Sequence, residues 1–161
     1  MSEETEIIKR DVSSGAIELL GSLFWHDSVL HEIKFIRTDS ADQVVLILDL
    51  LEDWEKQISR RAEITFQRCF LVQSQMSWGT RCMSEGEMIF GTTCVASSDL
   101  IEKVRSDWVG INLDTSGLAE FKLELASTSS TLEIVFGSVA IRYLSGSSPH
   151  HAPPPLPLKD S

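Results

Sequence analysis

Ala16, Leu19, Leu20, Leu23 and Phe24 recur at the i, i+3, i+4, i+7, i+8 spacing that lays one apolar stripe along a helix. The pattern predicts a helix from about Gly15 to Phe24, with Ser13 or Ser14 as its cap. From Val29 the period changes to two. Val29, Ile33 and Phe35 share one parity while Glu32 and Lys34 take the other, which reads as a first strand. After the turn residues TDSAD, the run QVVLILDLL is apolar on both parities, as expected of a strand covered on both faces. LEDWEKQISRR then forms a polar connection, and Ile64, Phe66, Phe70 and Val72 suggest a third strand.

Residues 73 to 97 are divided by Gly79, Gly86 and Gly91 and offer one short strand from Met88. Ser98 or Asp99 opens a second helix, with Glu102 in capping-box relation to Asp99 and Leu100, Ile101, Val104 and Trp108 on one side. Ala119, Phe121, Leu123 and Leu125 alternate with Glu120, Lys122 and Glu124, the signature of a strand with one wet face. In TLEIVFGSVAIRYL the apolar parity slips across Gly137, which predicts a bulge or tight turn there. The expected fold is α+β: an antiparallel meander of about six strands with an N-terminal helix and a second short helix packed on the sheet. The pattern divides the chain into an N-terminal segment (1–14), a single domain (15–145) and a Pro-rich tail (146–161).

Composition narrows the function classes. With 42% hydrophobic and 24% charged residues, the 161-residue chain lies in the globular range, and a chain this long can bury a substantial core. Every apolar run falls short of the roughly 20 residues a membrane helix needs. MSEETEIIKRD lacks the basic start and apolar stretch of a signal peptide, so a cytoplasmic location is expected. Cys69, Cys82 and Cys94 are odd in number and show no C-x-x-C spacing, and they read as reduced thiols. A formal charge of −10 argues against a nucleic-acid partner and suits either solubility or a basic protein partner. The oligomeric state is not legible.

Two features could carry chemistry. His26 and Asp27, with His31 a few residues on, are potential metal ligands and define an alternative reading as a small metal-dependent hydrolase. The ligand supply is thin, since the other histidines, His150 and His151, lie in the tail. A structural reading of the same residues makes Asp27 a turn former and packs Trp25 and His26 into the joint. No nucleophile elbow, phosphate-binding loop or dinucleotide fingerprint is present, so neither a catalytic residue nor a cofactor is assigned. The second feature is LEDWEKQ, where Glu52, Asp53 and Glu55 surround Trp54. An aromatic anchor ringed by carboxylates can dock a basic protein, the indole supplying buried area and the acids steering encounter. Asp107, Trp108 and Asp114 could extend that surface, and the PPPLP stretch of the tail matches the general form of a polyproline ligand.

The opener Trp25, His26, Asp27, Ser28 and Leu30, followed by a β meander and the closing strand Leu132, Glu133, Ile134 and Phe136, resembles a group of small bacterial proteins. These share a helix, an F/W-H-D-[AS]-x-[LV] turn and a terminal φ-E-φ-x-F strand, and several such families are immunity proteins of polymorphic-toxin systems. The resemblance spans about residues 16 to 144, without a counterpart for 76 to 97 or for the tail. It implies a non-enzymatic α+β protein that binds and neutralises one cognate toxin. Negative charge would suit a basic toxin domain.

Overall fold

The computed structural model describes residues 6–39, 42–77, 86–111, 113–126 and 129–151. Cys82, Gly79 and the PPPLP stretch lie outside them.

The molecule is mostly antiparallel β sheet, which corrects the expectation of a six-strand α+β meander. Ten strands are present among the described residues: β1 (Ile7–Asp11), β2 (Phe24–Arg37), β3 (Asp42–Asp53), β4 (Ile58–Gln67), β5 (Leu71–Gln75), β6 (Glu87–Val95), β7 (Ala119–Leu125), β8 (Thr131–Phe136), β9 (Ser138–Tyr143) and β10 (Ser148–Pro149). Two short helices join them, α1 (Ala16–Gly21) and α2 (Asp99–Asp107). The N-terminal segment contributes β1, which pairs with β9 from Ile7↔Arg142 to Asp11↔Ser138. The single strand expected over 64–72 divides in two at Arg68, whose φ of 52° turns the chain.

Strand order is β1-β9-β4-β3-β2-β6-β7-β8-β5, with β10 on β4. Two corners bring this sheet back on itself. β4 runs into β5, and β8 runs into β9 through Gly137, so the β4–β9 and β5–β8 ladders are halves of one bent ladder. The bend is bridged by Gly137 N–H to Gln67 O (3.1 Å) and Phe70 N–H to Val135 O (2.9 Å). At Gly137 the Arg68 guanidinium lies over the backbone: a Cβ there would stand 2.9 Å from its central carbon and would displace that side chain.

Inward parities fill the enclosed space. Leu46 and Leu48 of β3, Ile64 and Phe66 of β4, Phe121 and Leu123 of β7 and Ile134 and Phe136 of β8 are fully buried in one cluster. Phe66 packs on Phe121 (centroids 4.8 Å apart) and edge-on to Phe136 (5.0 Å), so opposed walls touch through aromatic rings. α1 adds Ala16 and Leu20 to this core. α2, capped by the Ser98 hydroxyl accepting from Ile101 N–H at 3.2 Å, lays Ile101 and Val104 on the outward residue Val135. The two-sided apolar pattern of β3 is used on both faces, since Val45 and Ile47 are also buried on its outer parity.

Candidate functional site

The W-H-D-S opener lies at the start of β2, directly after the joint with α1. α1 ends at Gly21, sooner than its apolar stripe suggests, and β2 begins at Phe24. Trp25 turns inward, packs on Phe121 (5.2 Å) and donates its Nε1–H to Leu20 O at 2.8 Å, satisfying a carbonyl of the last helical turn. Register then slips: Phe24 pairs with Leu51 and Val29 with Asp49, so Trp25 to Ser28 oppose Leu50 alone. Asp27 takes the left-handed conformation, φ 69°, which short polar side chains tolerate. Ser28, fully buried, stitches the gap by donating to Phe24 O (2.6 Å) and accepting from Leu51 N–H (2.9 Å).

This bulge presents His26 and Asp27 outward, where they meet the β3–β4 hairpin. Trp54 Nε1–H donates to Asp27 Oδ2 at 3.4 Å, so two features 27 residues apart form one surface. Trp54 remains 61% exposed. Its hairpin is braced by Asp53 Oδ1 accepting from Lys56 N–H (2.9 Å) and by the Gln57 amide donating to Trp54 O (2.5 Å). Glu52 accepts from the Ser147 hydroxyl at 2.6 Å, and Glu55 is exposed at the tip. His150 donates its Nε2–H to Asp27 O (2.8 Å) and its backbone N–H to Gln57 O (2.7 Å), tying residues of the expected tail to both segments.

On the other side of Asp27, His26 Nδ1–H donates to Phe90 O (2.5 Å), and its Nε2 lies 3.6 Å from Asp27 Oδ1. Phe24 and Phe90 are each 59% exposed. Neither was legible as a surface residue. Phe24 completes a helical stripe in the sequence, yet the helix has ended before it, and Phe90 takes the outward parity next to buried Ile89 in a run, MIF, that is apolar on both parities.

His31 belongs to a separate network. Its Nε2–H donates to Asp49 Oδ2 (2.8 Å), and Arg61 Nε–H donates to Asp49 Oδ1 (2.6 Å) across three neighbouring strands. Burial opposes ionisation of Asp49, but the hydrogen bonds from Arg61 and His31 and their charges outweigh it and hold the carboxyl below its usual range. Gly86 (φ 91°) passes close above: a Cβ there would stand 2.7 Å from Val29 Cγ1 and 3.0 Å from His31 Nδ1. His26 and Asp27 are thus engaged by Phe90, Trp54 and His150, and His31 by Asp49. No group of three His, Cys, Asp or Glu side chains placed to hold a metal occurs among the described residues.

The remaining candidates lie elsewhere. Trp108 packs edge-on to Phe70 (6.2 Å) and lines a cleft of about 390 Å³ with Phe35, Ile36 and Leu71, at the far end of β3 from Trp54. It does not extend the Trp54 surface. Cys69 and Cys94 are free thiols whose burial pushes them up to about 12. No helix among the described residues is long and apolar enough to cross a membrane. Comparison with family models, with curated proteins and with solved structures finds no match to this chain.

Proposed function

We propose that the protein is a non-enzymatic binding module that docks a basic protein partner on the end of the sheet formed by Glu52, Asp53, Trp54, Glu55 and Asp27. The observation that carries this reading is Trp54. A large indole stands mostly in water, yet its one polar atom is held by Asp27 and its backbone by Gln57. Such a side chain is oriented before a partner arrives, so little conformational freedom remains to be lost on binding. A Trp of this kind is the residue type that most often anchors an interface. The neighbouring carboxylates, on a chain of net charge −10, favour a cationic partner and speed its encounter.

In its specific form the proposal makes that partner a basic bacterial toxin domain, neutralised because the bound protein covers it. The opener and closing strand supply that resemblance, and the acidic hairpin suits it. The test is capture of a partner from cells that carry the native gene and its genomic neighbours, followed by titration of the purified pair. Trp54→Ala should weaken the complex by about 2 kcal/mol or more, the size of an interface hot spot. Stability should stay within about 0.5 kcal/mol of the parent, as for an exposed site. Equal affinity of the two proteins would remove this surface from the account, and a bound partner without toxic activity would remove the neutralisation reading.

A further inference from the structure

We infer that the partner presents arginine, and that the face receiving it is an aromatic strip running from Trp54 through His26 to Phe90 and Phe24. The inference rests on the docking role proposed for Trp54 and assigns residues that the acidic hairpin alone does not include.

From Trp54 to Phe90 the strip is continuous by contact. Trp54 touches the Asp27 carboxylate, Asp27 lies against His26, and the His26 ring meets Phe90 edge-on at 6.0 Å and 76°. Phe24 alternates with buried Trp25, so it projects from the same side of β2 as His26. Each of these rings is more than half exposed. Neighbouring exposed aromatics of this kind mark an interaction surface more often than chance.

Charge chooses the occupant. The segment from Glu52 to Gln57 carries three carboxylates against the one ammonium of Lys56, and Asp27 adds a fourth carboxylate inside the strip. An apolar partner would bury those acids without compensation. A lysine would satisfy the charge, but its ammonium is a compact, strongly hydrated point charge that cannot lie flat on a ring and fork to a carboxylate together. A guanidinium does both, stacking flat on an aromatic while its N–H fork reaches a carboxylate. The Asp27 carboxylate held between the Trp54 and His26 rings therefore selects arginine.

The full chain can be titrated with an arginine-rich peptide, its lysine counterpart of equal length and a glycine-serine control, while the Trp54 indole N–H and the Phe24 and Phe90 ring signals are followed by NMR. Saturable shifts of these signals are expected with arginine, with lysine weaker and the control silent. Phe90→Ala should weaken arginine binding by about three- to tenfold, the scale of a cation–π contact. Equal response to arginine and lysine, shifts spread over acidic residues without the rings, or no response would each overturn the inference. Failure of the docking role itself reads differently. If the captured partner loses affinity on Trp54→Ala but not on Phe24→Ala or Phe90→Ala, only the aromatic strip is refuted; if it is indifferent to Trp54→Ala, the docking role is refuted as well.

Discussion

Asp49 sets burial against pairing in one side chain. It lies on the outer face of β3 between His31 and Arg61, partly covered and hydrogen-bonded on both oxygens. Because its carboxyl is held below the usual range, the paired anion contributes stability that is fully present above the unfolded value of roughly 4 and is lost as pH falls through the lower folded value. Asp49→Asn should therefore cost about 1 kcal/mol near neutral pH, discounted for the partial exposure of the pair. In urea unfolding the gap between variant and parent should close in strong acid; a gap that persists there would mean that packing, not charge, holds the site. Nothing in the sequence pointed to this trio, because 18 residues separate His31 from Asp49 and only the strand register brings them together. Trp54 was legible for the opposite reason: its acidic neighbours are adjacent in the chain, so their grouping survives any folding.

Short-range pattern located elements better than it located their ends. α2 starts where Ser98 can cap it, and β7 follows the alternation from Ala119 to Leu125 without exception. α1 is shorter than its stripe, because Leu23 and Phe24 continue the helical spacing after the chain has turned into β2. The bulge that follows is invisible to periodicity, since the slip lies inside four residues and only Ser28 shows what fills it. Ser28→Ala would leave the buried Leu51 N–H without its acceptor and Phe24 O without its donor. A loss of about 1–3 kcal/mol is expected, the cost of a buried polar group left unpaired. Urea unfolding monitored by Trp25 near-ultraviolet circular dichroism measures it, and a change under a few tenths would show that water replaces the hydroxyl. The parity slip at Gly137 was legible, but its consequence was not: a glycine in a strand pattern announces a bend, and which sheets the bend joins depends on partners far away in sequence.

Closure of the sheet is a property of the whole chain, and it explains why a count of about six strands fell short. Two long strands each turn one corner and so appear twice along the sequence, and the segments flanking the core add short strands to the same sheet, β1 on β9 and β10 on β4. The C-terminal addition bears directly on the proposed docking end. Leu144 N–H bonds Arg61 O (2.8 Å), and Arg60 Nε–H bonds Ser145 O (2.7 Å). Beyond these, Ser147 holds Glu52 and His150 holds Gln57 and Asp27. These contacts brace the hairpin from outside the core, whose cluster ends at Tyr143. A chain ending at Leu144 should therefore keep its fold and lose about 1–3 kcal/mol, the net worth of a few partly exposed hydrogen bonds. The larger effect should be local. Amide exchange across residues 53–60 should quicken while that of β7 and β8 stays unchanged, and affinity for a partner docked on Trp54 should fall because a looser hairpin must be ordered on binding. Unchanged exchange in the hairpin would show that Asp27 and Gln57 suffice to hold Trp54, leaving residues 145–151 without a part in the site.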